Sequence, residues 1–252
     1  AAIVRDRLGA PVIATVVQFS TSRGAIGQQA LTDSNGRAVV QLTSDQTLGT
    51  ATIQATATGI SANTSVDFVV GSPADLTVAV SQSTLVADGI SQADVTATMH
   101  DAYAHPLPGV TIDFNTTTGA IGSSAVTNAN GQATVRYTVG TNLTTATITA
   151  SASGLNANAT VQCVAGPPAS IQVTASDSTL VANGVQQTQV MALVRDQLAH
   201  PVTGVEVTFS ANLGSITDKA TTDAQGVASV IFTVGNQAGV VTIGAAYGTL
   251  TN

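Results

Sequence analysis

The chain has 252 residues, 14 Asp and Glu against 7 Lys and Arg, and a net charge of −7; 8% of its residues are charged, 44% hydrophobic and 3% aromatic. So few scattered cations exclude a phosphate-tracking nucleic-acid surface, and a single Cys excludes both an intrachain disulfide and a multi-thiolate metal cluster. No apolar run approaches ~18 residues, which excludes a membrane-spanning helix, and ordinary apolar content with little net charge per residue argues against disorder.

In chain order, the first element is a polar turn, Arg5-Asp6-Arg7-Leu8-Gly9-Ala10-Pro11-Val12. It returns as His100-Asp101-Ala102-Tyr103-Ala104-His105-Pro106-Leu107, and again as Arg195-Asp196-Gln197-Leu198-Ala199-His200-Pro201-Val202, at a constant step of 95 residues. The same step, without a gap, links Phe19, Phe114 and Phe209, then Gly24, Gly119 and Gly214, then Gly36, Gly131 and Gly226. It also relates Thr84-Leu85-Val86-Ala87-Asp88-Gly89 to Thr179-Leu180-Val181-Ala182-Asn183-Gly184. A period this long exceeds a solenoid unit of ~20–50 residues and is close to a sandwich domain of ~100 residues.

The middle copy predicts strands near 75–80, 84–87, 92–100, 109–115, 123–128, 132–139, 144–151 and 157–165. Within them apolar and polar residues alternate, as at Ala133, Val135, Tyr137 and Val139 against Gln132, Thr134, Arg136 and Thr138. That is the pattern of a half-buried strand. No helical stripe appears, and the outward positions are mostly Thr, Ser and Gln, which suit a pleated surface. Asp33-Ser34-Asn35-Gly36, Asn128-Ala129-Asn130-Gly131 and Asp223-Ala224-Gln225-Gly226 are expected to close hairpins, the third more weakly because Gln replaces Asn. Gly24-Ala25-Ile26-Gly27 and its counterpart at Gly119 read as strand kinks or bulges rather than a phosphate loop.

Boundaries fall at Gly71-Ser72-Pro73 and Gly166-Pro167-Pro168, giving domains at 1–72, 73–167 and 168–252. By the phase of the repeat, the first lacks the equivalent of residues 73–95 and the third most of its last strand. The expected fold is all-β: tandem immunoglobulin-like antiparallel sandwiches forming an elongated rod, since such short Pro-containing joints restrict bending. The chain has no Trp, and its lone Cys cannot form the intersheet disulfide of antibody domains. Packing alone must hold each sandwich.

On Asp101, Pro106, Phe114, Gly119, Thr127-Asn128-Ala129-Asn130-Gly131-Gln132-Ala133 and Thr147-Ile148-Thr149-Ala150, with counterparts in both other copies, the sequence resembles the bacterial group 1 immunoglobulin-like (Big1) repeats of intimin and invasin. The resemblance spans essentially the whole chain. It implies an exported stalk or adhesion region on the surface of a Gram-negative outer membrane, anchored outside this stretch. The implied partner is a host cell-surface or matrix protein. The alternatives are an accessory array on a secreted enzyme, or a repeat that itself binds a matrix protein.

Candidate sites are few. His100, Tyr103 and His105 cluster in one turn and are the residues proposed to touch a partner, with Tyr103 as the aromatic anchor. A metal there is disfavoured because His100 and Asp101 are adjacent on a strand end and point oppositely. The three His residues have no nucleophile elbow beside them, so no catalytic residue and no enzyme activity is assigned. Asp33, Asn35, Asn128 and Asn130 lack the Asp-x-Asp-x-Asp oxygen ladder of a calcium loop and read as hairpin turns, while a calcium ion wedged at a domain joint near Asp75 or Asp88 stays the alternative. No cofactor is expected, and the chain is expected to be monomeric apart from an unpaired edge in the first copy. Cys163 aligns with Phe68, and Tyr137 with Leu42 and Phe232; both read as core.

Overall fold

The computed structural model describes residues 1–252 and consists of strands and turns without a helix. Thr and Val explain this, because β-branched side chains lose rotamer freedom in a helix and pack well on a pleat. Two compact units are present. One comprises Ala1–Asp75 with Met99–Leu107 and Ala129–Gly131; the other comprises Leu76–Thr98, Pro108–Asn128 and Gln132–Asn252.

The first unit contains β1 (Ala2–Ile3), β2 (Val16–Thr21), β3 (Ala25–Ile26), β4 (Gln29–Leu31), β5 (Arg37–Ala38), β6 (Leu42–Thr43), β7 (Gly49–Ala57) and β8 (Ile60–Phe68). One sheet has the order β4-β2-β7-β8, and β1 pairs with β5 and β3 with β6. Val17, Phe19, Ala38 and Ala57 form its core. Beside them lies an apolar groove of about 700 Å³ lined by Val17, Phe19, Ile26, Ile53 and Val66.

The next strands are β9 (Pro73–Val80), β10 (Thr84–Val86), β11 (Gln92–Asp101), β12 (Thr111–Thr116), β13 (Ala120–Ile121), β14 (Ser124–Val126), β15 (Gln132–Thr138), β16 (Thr145–Ala152) and β17 (Leu155–Val164). They form sheets of order β10-β17-β16-β12-β14 and β13-β15-β11-β9. After β9 the chain changes sheet, and β10 pairs in parallel with β17, Leu85 opposite Cys163. Inward residues of the two sheets bury Val95, Ile112, Tyr137, Ile148 and Val161 completely. Two apposed sheets with alternating inward apolar residues make a sandwich. Cys163 is buried, with its Sγ 4.0 Å from the Tyr137 hydroxyl. Burial pushes the Tyr137 phenol up to about 12.

The remaining strands repeat the plan: β18 (Ser170–Ala175), β19 (Gln187–Arg195), β20 (Glu206–Ala211), β21 (Ser215–Ile216), β22 (Lys219–Thr221), β23 (Val227–Thr233), β24 (Ile243–Tyr247) and β25 (Leu250–Thr251). Their sheets are β18-β19-β23-β21 and β22-β20-β24-β25, closing over Val190, Val194, Val207, Phe209 and Phe232.

Two details correct the sequence reading. The Asp/Asn-x-x-Gly quartets are not ladder hairpins. The quartet at 128–131 runs from β14 to β15, which belong to different sheets, and the quartet at 223–226 likewise joins β22 to β23. Only the glycine of each quartet has positive φ. The leading acid instead caps the turn: Oδ1 of Asp223 accepts the N–H groups of Gln225 and Val227, each at 2.9 Å. The third position needs no left-handed residue, so Gln serves there as well as Asn. Two-residue hairpins lie at Thr58-Gly59 and Ser153-Gly154, where both residues have positive φ, as a type I′ turn requires, and at Gly248-Thr249, where only the glycine does. The second detail is the short strand at Ala120–Ile121, where only a kink or bulge was expected. It pairs with Thr138 and Tyr137. Gly119 precedes it at φ +78, where a Cβ would lie 2.4 Å from the Thr138 carbonyl and 2.9 Å from the Tyr137 ring. Only glycine fits that approach.

Candidate functional site

The turn that carries the predicted contact residues is organised by Asp101, which is itself buried. β11 ends there and the chain reverses through Ala102–His105, with Ala104 at φ +64. Oδ1 accepts the main-chain N–H groups of Tyr103 and His105, each at 2.9 Å. Oδ2 accepts the N–H of Gly71 at 2.8 Å and lies 2.9 Å from Nδ1 of His105. Burial raises the carboxyl pKa, but the hydrogen bonds from Gly71, His105 and Tyr103 outweigh it and hold the group well below the usual carboxylate range. The side chain is therefore a fixed anion that ties Gly71 to the turn.

The same construction recurs. Asp6 accepts the N–H groups of Leu8 and Ala10, each at 2.9 Å. Asp196, also buried, accepts those of Leu198 at 2.9 Å, His200 at 2.8 Å and Gly166 at 2.9 Å, and pairs with His200 Nδ1 at 2.9 Å. A bridge between the residue before each Asp and the following Pro closes all three turns: Arg5 to Pro11, His100 to Pro106 and Arg195 to Pro201.

The three predicted contact residues separate in role. Tyr103 is 62% exposed, its ring tilted 46° to that of His105 at 6.3 Å between centroids. His105 is committed on both sides, to Asp101 through Nδ1 and to the main-chain carbonyl of Gln46 at 2.7 Å through Nε2. The Asp101 contact, and then the Gln46 carbonyl, raise its pKa above the ordinary 6.5. His100 is half-buried in the bridge to Pro106. Of the trio, Tyr103 alone presents a large open face.

The sequence reading missed Asp101 as the organiser and Gly71 as its partner. A signal existed: Gly71 and Gly166 both precede a recurrent Asp by 30 residues. Gln46 carried no signal, because its carbonyl rather than its side chain makes the contact. No three His, Cys, Asp or Glu side chains come together in a manner that would hold a metal ion. The carboxylate of Asp88 is taken up by the N–H groups of Ile90 and Ser91 and by the Ser91 hydroxyl, and Asp75 is exposed.

The family described as bacterial Ig-like domain (group 1) matches residues 1–69, 75–164 and 170–252. The inverse autotransporter adhesin YeeJ of Escherichia coli strain K12 is 30% identical over 217 residues, 79% of this chain but 9% of that protein. The crystal structure of invasin, a bacterial integrin-binding protein, aligns with 99% of this chain and 53% of its own, at 25% identity and a TM-score of 0.65. InvD of Yersinia pseudotuberculosis aligns with 96% of this chain and 75% of its own, at 19% identity and a TM-score of 0.54, which is a likeness of fold.

Proposed function

Because the chain belongs to the bacterial Ig-like domain (group 1) family, we propose that it is an extracellular segment of a Gram-negative outer-membrane adhesin and spaces an attachment site away from the cell surface. The observation that carries this reading is the gap-free recurrence of one β-built plan with its Asp-organised turn, in which a buried carboxylate holds the Gly of a joint at both Gly71 and Gly166. A spacer needs such joints and needs no reactive side chain.

Deleting residues 73–167 in frame from the parent adhesin removes one full period. Attachment of the bacteria to host cells or matrix is expected to persist, since a spacer tolerates loss of one length. Loss of attachment with normal surface display would overturn the spacer reading. It would favour a second one, in which the middle copy itself contacts a host protein through its exposed Tyr103 with His100 at the turn's edge. In that case Tyr103→Ala alone would reproduce the loss, as expected for an aromatic anchor.

A further inference from the structure

His105 differs from its counterparts in having an acceptor on each ring nitrogen. Nδ1 lies 2.9 Å from Oδ2 of Asp101, and Nε2 lies 2.7 Å from the carbonyl oxygen of Gln46. An ionised carboxylate and a carbonyl only accept hydrogen bonds, and a neutral imidazole carries one N–H. Either neutral tautomer must therefore aim a lone pair at an oxygen within hydrogen-bond distance. The imidazolium alone satisfies both contacts. In the first copy Ala10 occupies this position. In the third, His200 pairs with Asp196, but no carbonyl stands at its Nε2 as Gln46 does at His105.

We propose that His105 is a proton-controlled clasp: charged, it fastens the 44–48 loop to the turn at 101–105; neutral, it lets that loop go. The groups around it support this assignment. From its own turn it faces Asp101, a fixed anion, and the Tyr103 ring; His100 lies one residue before Asp101 and is half-buried. From the 44–48 loop the ionisable neighbour is Asp45, whose carboxylate is held by the N–H groups of Gly24 at 3.0 Å and Thr47 at 2.9 Å, with Arg23 nearby. The 129–131 turn and the Gly71-Ser72-Pro73 joint bring no ionisable side chain. The Asp101 carboxylate thus favours the cation, in keeping with the upward direction of its pKa. A group raised in the folded state contributes in full below its unfolded value, near 6.5, and loses that contribution as pH rises through its folded value.

The test uses the whole chain. Nitrogen NMR of the histidine rings should show His105 protonated on both nitrogens at about pH 6 and titrating above the ordinary histidine range. Amide-exchange protection at 44–48, corrected for intrinsic rates, should fall several-fold as the pH is raised through the titration of His105. In His105→Gln, protection at 44–48 should be low at both ends and no longer follow pH. A His105 ring with one N–H at about pH 6 would overturn the clasp. So would protection at 44–48 that stays constant while the wild-type ring titrates, or that falls equally in the variant. The ring measurement and the wild-type exchange stand even if the variant folds poorly.

Discussion

Asp196 accepts three main-chain N–H groups and pairs with an imidazole while itself buried. Removing the carboxylate leaves three part-buried donors without this acceptor and also frees Gly166. We expect Asp196→Ala to destabilise its unit by about 2 kcal/mol, because hydrogen bonds to a charged acceptor are worth more than neutral ones. Urea unfolding of the variant against the parent chain measures this, and a midpoint within error of the parent would contradict it. At this scale the sequence was legible wherever a side chain's role follows from burial. Tyr137 and Cys163 share alternating apolar strands, and both are in the core. It was opaque where the role depends on a main-chain partner. The acceptor for His105 is the backbone of Gln46, which any residue type supplies.

Among the elements, the corner between β22 and β23 shows how a turn can hold two sheets without a ladder. Thr222 is buried, and its hydroxyl accepts the N–H of Val205 at 2.9 Å and donates to the carbonyl of Val202 at 2.7 Å. The counterpart hydroxyls of Thr32 and Thr127 accept from Thr15 and Val110, each at 2.9 Å. Thr222→Val keeps the shape but leaves a part-buried donor and a buried acceptor unpaired, so a loss of about 1–3 kcal/mol is expected. Thr222→Ser keeps the hydroxyl and should recover most of it. A valine variant as stable as the parent in thermal unfolding would remove the hydroxyl from the account. Strand positions were readable because alternation directly reports which face is buried. The sheet-to-sheet crossing was not, since Asn-Gly between two alternating runs looks alike whether the runs pair or part. The Thr at the head of the quartet is the distinguishing residue, and its inward hydroxyl becomes evident only once the two sheets are placed.

Across the whole molecule, stability has few electrostatic supports. The two ion pairs between fully ionised side chains, Arg136 with Asp94 and Lys219 with Glu206, are exposed on both sides, and pairs of that kind contribute little. The charges that matter are carboxylates capped by main-chain N–H groups. Asp33, Asp45 and Asp88 are lowered chiefly by backbone hydrogen bonds, while Asp101 and Asp196 are lowered despite the opposing effect of burial. A carboxylate lowered in the folded state contributes fully above its unfolded pKa, near 3.8, and loses that contribution as pH falls through the folded value. His105 acts in the opposite sense and is raised, so its contribution is complete below about 6.5 and declines above it. The two trends bracket a window. The unit containing Asp101 and His105 should be most stable between about pH 4 and about pH 6.5, on the acid side of neutrality. Urea midpoints for that unit, followed by NMR signals of its own residues across the pH range, test this. The midpoint should fall below the window, through loss of the carboxylate caps, and should decline more gently above it. His105→Gln should remove the alkaline decline and leave the acid limb in place. A midpoint that rises steadily from about pH 6 to about pH 9 would mean that the charged imidazole does not stabilise this fold.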